Sequence, residues 1–252
     1  MDILNVENLR QRYGGLQILF GVSFGVGMGE RVALIGPNGA GKTTLMNVLT
    51  GFISPESGTI RLLGKDVTRM PSHRRVSLGL ARSFQINTLF PRLSLLINVL
   101  LAVQGVQGTR YHWFRPIISD GPNLSKAREL LESVGLWEDR NTPVALLSYG
   151  QQRLVEMVLA LASKPRLLLL DEPSAGLSSG ESSHLIDIIN GLAGETTVFF
   201  SAHDLDLVFT LASRVMVLYY GKIIASGTPE EIQDDARVRE IYLGTQKESQ
   251  DA

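Results

Sequence analysis

Residues 36–43 read Gly-Pro-Asn-Gly-Ala-Gly-Lys-Thr, a glycine-rich turn closed by a lysine and a hydroxyl residue. The pattern suits a polyphosphate, which packs several negative oxygens together and needs many donors around them. Glycines let backbone N–H groups curl about a β-phosphate, and a helix starting at the lysine adds its positive end. In such a cradle Lys42 reaches the β- and γ-phosphates, and the Thr43 hydroxyl ligands Mg²⁺. Gly36, Pro37, Asn38, Gly39, Ala40, Gly41, Lys42, Thr43 and Thr44 are thus the candidate residues for holding ATP with Mg²⁺.

A second group supplies chemistry to act on that phosphate. Leu167 to Leu170 form an apolar run ending in Asp171-Glu172-Pro173. A carboxylate at the end of a buried strand can organise Mg²⁺ through its water shell, which suits Asp171. Glu172 then lies where an attacking water is positioned and deprotonated. Two acids after a strand can also do no more than solvate its end. The phosphate loop elsewhere in the chain decides for hydrolysis.

The elements around these residues alternate between strand and helix, which predicts βα units on a mainly parallel sheet. Arg31 to Ile35 reads as a strand before the glycine-rich turn, and Lys42 to Leu49 as a helix stopped by Gly51. Arg166 to Leu170, Thr197 to Phe200 and Val215 to Tyr219 read as further strands. Leu185, Ile188, Ile189 and Leu192 fall on one helical face, with Ser178 and Glu181 spaced as a capping box before them. Thr228, Pro229 and Glu231 announce another helix start. Ile3 to Leu9, Ile18 to Phe24 and Thr59 to Leu63 alternate like an antiparallel sheet. From about Pro91 to Asn141 the chain is mostly helical, with a loop rich in Gly, Pro and aromatic residues between Gln104 and Asn123.

Composition narrows the function classes. Of 252 residues, 44% are hydrophobic and 19% charged, the balance of a globular protein. A net charge of −1 argues against a broad nucleic-acid footprint, and no nucleic-acid partner is expected. With no cysteine, thiol catalysis, disulfides and cysteine-bound metals are excluded. The first residues, Met1-Asp2-Ile3-Leu4-Asn5, do not read as a signal peptide. No apolar run approaches the roughly 18 residues of a membrane span, and the best, Leu95 to Val103, is interrupted by Asn98.

With these motifs placed, the chain resembles the ATP-binding cassette (ABC) ATPases from Leu4 to about Gly244. Leu147-Ser148-Tyr149-Gly150-Gln151 is similar to the family's signature motif, opening a helix through Ala160. The resemblance implies that Ser148, Gly150 and Gln151 close over the γ-phosphate of a nucleotide held by a second subunit. It also implies that Tyr13 stacks on adenine and that Gln85, in Ala81-Arg82-Ser83-Phe84-Gln85, reaches Mg²⁺ and the attacking water. His203 matches the histidine that contacts the γ-phosphate and Glu172. Two positions depart from the family pattern: Ser178 stands where an acid or amide is common, and Ala202 where Glu or Thr is common.

The fold class implied is α/β: a P-loop NTPase core with an N-terminal antiparallel β subdomain and an inserted α-helical subdomain carrying the signature. The division expected is 1–90 with 164–244 for the nucleotide-binding core, 91–163 for the insert, and 245–252 as a polar tail. A narrower resemblance, to the ATPases of branched-chain amino-acid importers, rests on Leu-Ser-Tyr-Gly-Gln-Gln-Arg from Leu147, on Tyr111, Trp113 and Phe114 in the long loop, and on Ile241-Tyr242-Leu243-Gly244. It implies an ATPase at the cytoplasmic face of the inner or plasma membrane. Its partners would be separate transmembrane permease subunits, docked near Gln85 to Arg92 with Leu89 and Phe90 as candidate contacts. A second ATPase subunit and, indirectly, a periplasmic or extracellular solute-binding protein complete the set. Importers of urea or amides, lipopolysaccharide exporters and iron–sulfur assembly ATPases share parts of this pattern.

Overall fold

A computed structural model describes residues 2–83, 89–106, 121–192, 194 and 196–241. Gln85, the aromatic loop residues Tyr111, Trp113 and Phe114, Tyr242 to Gly244 and the 245–252 tail lie outside the described residues.

Two sheets organise the chain. The first has the order β2-β1-β4-β5, from β1 (Asp2–Tyr13), β2 (Leu16–Gly27), β4 (Ser57–Leu62) and the short β5 (Lys65–Asp66), all antiparallel. The second has the order β10-β9-β3-β8-β7-β6. Its strands are β3 (Arg31–Ile35), β6 (Leu80–Ser83), β7 (Leu167–Asp171), β8 (Thr197–Ser201), β9 (Arg214–Tyr219) and β10 (Lys222–Gly227). Pairings from β6 through β9 are parallel, and β10 returns antiparallel on β9. β7 and β8 are buried at every position, as expected of parallel strands covered on both faces. This is the α/β class expected, an antiparallel subdomain beside a parallel sheet.

Among the helices of the described residues are α1 (Lys42–Thr50), α2 (Ser72–Ser77), α3 (Leu95–Val106), α4 (Gly121–Ser133), α5 (Tyr149–Leu161), α6 (Ser179–Gly191), α7 (Leu205–Leu211) and α8 (Pro229–Asp234). Leu95, Val99, Val103, Leu131, Val155 and Val158 form a cluster uniting α3, α4 and α5. Leu185 and Ile189 pack α6 against the parallel sheet, with Ile188 and Leu192 at the edge of that core. Ser178 and Thr228 each complete a capping box, with Glu181 and Glu231.

Asn98, which interrupts the apolar run of α3, is buried. It exchanges hydrogen bonds with the backbone of Phe90, at 2.8 Å to the Phe90 N–H and 3.1 Å to its carbonyl. The buried polar side chain thus satisfies backbone groups of the loop that enters α3. Leu89 joins the helical cluster, whereas Phe90 stays 56% exposed.

The C-terminal end of α1 is closed from outside the helix. Arg75 is buried and donates to the carbonyls of Val48 (2.9 Å), Leu49 (2.6 Å) and Met70 (2.9 Å). Burial pushes its guanidinium down to about 10. A cation on the last carbonyls of a helix also meets the negative end of its dipole.

Candidate nucleotide-hydrolysis site

β3 delivers the glycine-rich turn and α1 continues from it. A side chain at Gly36 would collide with the Leu218 carbonyl, so only glycine lets the loop turn against β9. Gly41, at φ 107°, caps α1 without any side-chain hydrogen bond. The first amides of this helix therefore point into the loop with no side-chain acceptor, the arrangement that receives an anion.

Lys42 is buried beneath the loop, its Nζ donating to the carbonyls of Gly36 at 2.6 Å and Pro37 at 3.1 Å. Burial pushes its ammonium pKa down, while the charges of Glu172 and Asp171 pull it back up. Those two carboxylates thus face the same space as the lysine, although 129 residues separate Lys42 from Asp171 along the chain.

Asp171 ends β7 fully enclosed. Its Oδ1 accepts from Ser201 Oγ at 2.6 Å, and its Oδ2 accepts from Arg82 Nη2 at 2.9 Å. Arg82 also donates to Asn47 Oδ1 of α1 at 2.7 Å, tying the phosphate-loop helix to the carboxylate. Glu172 follows at φ 48°, a left-handed conformation that is costly for a residue with a side chain. Its N–H is held by the Ser201 carbonyl at 3.1 Å and by Ser201 Oγ at 3.0 Å. The turn swings the Glu172 side chain out of line with the sheet, where Oε1 meets His203 Nε2 at 2.8 Å. Both side chains are partly open, 31% and 40% exposed, so water can reach the pair.

Ser201 and Arg82 carry roles that the sequence does not announce. Ser201 faces Asp171 in the register of β7 and β8 and serves both acids at once. Its position two residues before His203 is the one available signal. Arg82 had only its place before Gln85 to mark it.

The remaining candidates lie apart from this cluster. Tyr13 stands 47% exposed at the tip of the β1–β2 hairpin, paired with Leu16. The hairpin is fastened to the phosphate loop: Gly221 N–H donates to the Ala40 carbonyl and Phe20 N–H to the Gly221 carbonyl, both at 2.9 Å. Beside Gly39, a cleft of about 520 Å³ is walled by Leu16, Ile18, Phe20, Tyr219 and Tyr220.

Ser148 is the N-cap of α5, its Oγ accepting from Gln151 N–H at 3.1 Å while Gln151 Oε1 accepts from Ser148 N–H at 2.9 Å. The Gln151 amide also donates to Asp139 at 3.3 Å, so its side chain is turned into the helix entrance. Gly150 is buried against Glu181 of α6, where a side chain would collide with the carboxylate. Ser178, one of the two departures, is occupied locally: it caps α6, and its Oγ also lies 2.8 Å from Glu181 Oε2. The other, Ala202, is buried at the end of the β8 strand.

Comparison with known proteins gives this arrangement its family. Residues 19–175 match the family model described as ABC transporter, and residues 222–248 match one described as branched-chain amino acid ATP-binding cassette transporter. The high-affinity branched-chain amino acid transport ATP-binding protein BraF of Pseudomonas aeruginosa is 38% identical, over 96% of this chain and 98% of its own. LivG of Escherichia coli, of the same description, is 36% identical with the same coverage. The lipopolysaccharide export ATP-binding protein LptB of Haemophilus influenzae is 33% identical over 98% of this chain and 99% of its own. Among solved structures, the ADP conformation of MJ1267, an ATP-binding cassette of an ABC transporter, superposes with a TM-score of 0.84 at 30% identity, over 97% and 99% of the two chains. On these matches, spanning nearly its whole length, the chain belongs to the ATP-binding cassettes of ABC transporters.

Proposed function

We propose that this cassette hydrolyses ATP to drive import of branched-chain or closely related amino acids through separate permease subunits. The observation that carries the hydrolytic reading is the Glu172–His203 pair, 2.8 Å apart, beside the enclosed Asp171 and within the field of Lys42.

In this reading the loop from Gly36 to Thr44 wraps the triphosphate and Lys42 exchanges its loop carbonyls for phosphate oxygens. Mg²⁺ supplies charge neutralisation when bound. Thr43 and Asp171, with Gln85, would hold it, a donor set suited to an ion that keeps waters and phosphate oxygens as its other ligands. Glu172 takes the proton of the attacking water and His203 holds the carboxylate in place. Tyr13 gives the adenine a stacking face. Two such chains facing head to tail would bring Ser148, Gly150 and Gln151 over the other chain's nucleotide. Ser148 Oγ, though it accepts from Gln151, keeps its own proton to donate there. The division into a core of 1–90 and 164–244 and an insert of 91–163 belongs to the same proposal.

We read the permeases as separate subunits; no helix among the described residues is long and apolar enough to cross a membrane. The cassette would thus sit on the cytoplasmic face, held there by its permeases, with a solute-binding protein acting on the far side. Exposed Phe90 supports docking near Gln85 to Arg92, and a separate groove of about 280 Å³, lined by Phe52, Val76, Ala102 and Leu159, lies between the two lobes.

Replacing Glu172 by Gln keeps the shape and removes the base. Turnover of ATP is expected to fall at least about a hundredfold with nucleotide binding retained. A wild-type rate in that variant would sink the hydrolytic reading. Uptake of radiolabelled leucine into vesicles holding the cassette and its permeases tests the solute. The export reading suggested by the LptB likeness requires movement of lipopolysaccharide in the same vesicles instead.

A further inference from the structure

The tyrosine inside the signature segment has no task in the scheme above. Its surroundings give it one. A side chain built on Gly176 would sit 2.8 Å from Tyr149 Cε1 and 3.4 Å from Cζ, so the ring lies directly over this glycine. Gly176 adopts φ +77° and belongs to the short turn that begins at Glu172. The Ala175 N–H donates to the Glu172 carbonyl at 3.1 Å, and Leu177 N–H to the Ser174 carbonyl at 3.1 Å. One residue further along α5, the buried Gly150 rests on Glu181, whose carboxylate caps the same turn at Ser178. The turn carrying Glu172 is therefore seated on the first turn of α5 at two points.

The ring is itself held. Arg153 Nε donates to Tyr149 Oη at 3.2 Å, with the guanidinium 5.3 Å from the ring centroid. Arg153 pairs with Glu156 at 3.2 Å, with side chains only 10% and 2% exposed. Glu156 lines the groove between the lobes. A continuous set of contacts thus runs from that groove to the turn that carries Glu172.

We propose that Tyr149 is a positioning residue for Glu172 of its own chain, pressing on Gly176 to hold the 172–177 turn in the conformation that presents the carboxylate. Glu172 sits at an unfavourable φ, and such a backbone persists only where its surroundings impose it. Removing the ring lets the turn relax, and a displacement of an ångström at a catalytic base is costly. The inference rests on Glu172 being the base, as proposed above.

Three purified variants test it with steady-state ATPase kinetics and thermal melts. Tyr149→Phe keeps the ring and should retain kcat within about twofold. Tyr149→Gly should lower kcat about tenfold with KM for ATP within about twofold, the split expected when only transition-state interactions are lost. Should the glycine variant fail to fold, Tyr149→Ala removes the same ring with a residue that favours the helix. Loss of turnover in Glu172→Gln together with a wild-type kcat in Tyr149→Gly or Tyr149→Ala overturns this inference and leaves the reading of Glu172 standing. Wild-type turnover in Glu172→Gln removes both.

Mixed dimers separate action on the chain's own acid from action on the partner's nucleotide. With Tyr149→Gly and Glu172→Gln on one chain, the unaltered chain keeps both residues, and about half the wild-type rate is expected. With the substitutions on different chains, a rate about tenfold below that is expected. The reverse ranking overturns the inference.

Discussion

The entrances of α1 and α5 are built in opposite ways. Helix α5 begins at Ser148 with both halves of a capping box in place, and so do α6 at Ser178 and α8 at Thr228. Helix α1 begins at Gly41, in a left-handed conformation, with no side-chain cap at all. The orphan amides at a helix start must find acceptors. Where a side chain supplies one, the entrance is closed and rigid. Where none does, a bound anion can supply it. Helix α2 also lacks a side-chain cap, at Pro71, so the contrast supports the proposed phosphate site only together with the glycine-rich loop that leads into α1. At the other end of α1, Arg75 donates to the last carbonyls from outside the helix.

The comparison can be broken most directly at Gly41. Gly41→Ser places a capping hydroxyl where the phosphate would bind, in a backbone region that L-residues resist. Its side chain would also approach Leu19 Cδ2, 3.1 Å from an added Cβ. Nucleotide affinity, read by titration with a fluorescent ATP analogue, is expected to fall about a hundredfold, about 2.7 kcal/mol, near the top of the roughly 1–3 kcal/mol that backbone strain alone would give. Unchanged affinity would mean that the uncapped entrance is not the anion site.

An effect of comparable size, on stability and not on affinity, is expected at the far end of the same helix. Arg75→Met keeps length but removes the donors from buried carbonyls, and unfolding by urea should show a loss of about 2–4 kcal/mol. A loss below about 0.5 kcal/mol would show that other groups or water satisfy those carbonyls.

The smallest effect sharpens the contrast. Ser148→Ala opens the α5 entrance and should cost about 1 kcal/mol of stability. If the hydroxyl also meets the partner's nucleotide, ATP-dependent dimerisation measured by light scattering should weaken as well. A change in stability alone would confine Ser148 to its capping role.

How much of this was legible in advance varies by residue. The run from Gly36 to Thr43 and the pair Asp171-Glu172 announce themselves because local chemistry alone demands those types at that spacing. The capping boxes at Ser178 and Thr228 were equally plain, being interactions between residues three apart. Strand β10 was not legible, because Lys222 to Gly227 is a half-covered edge of mixed composition, paired with one neighbour only. Leu89 and Phe90 looked alike as apolar neighbours. The lobe's packing alone buries one and leaves the other outside.

What the amino-acid order by itself determined is the glycine-rich loop, the candidate carboxylates and the alternation of strand and helix, since these depend on patterns within a few residues. Tertiary structure decided the rest: that Arg82 and Ser201 would share Asp171, that Ser201 would also pin the strained Glu172, and that Tyr149 would come to lie on Gly176. These partners are brought together by strand register and helix packing across 27 to 89 positions of chain. At such separations no local pattern constrains which side chains meet. The parallel sheet, whose neighbours in space are distant in sequence, leaves that choice to the fold.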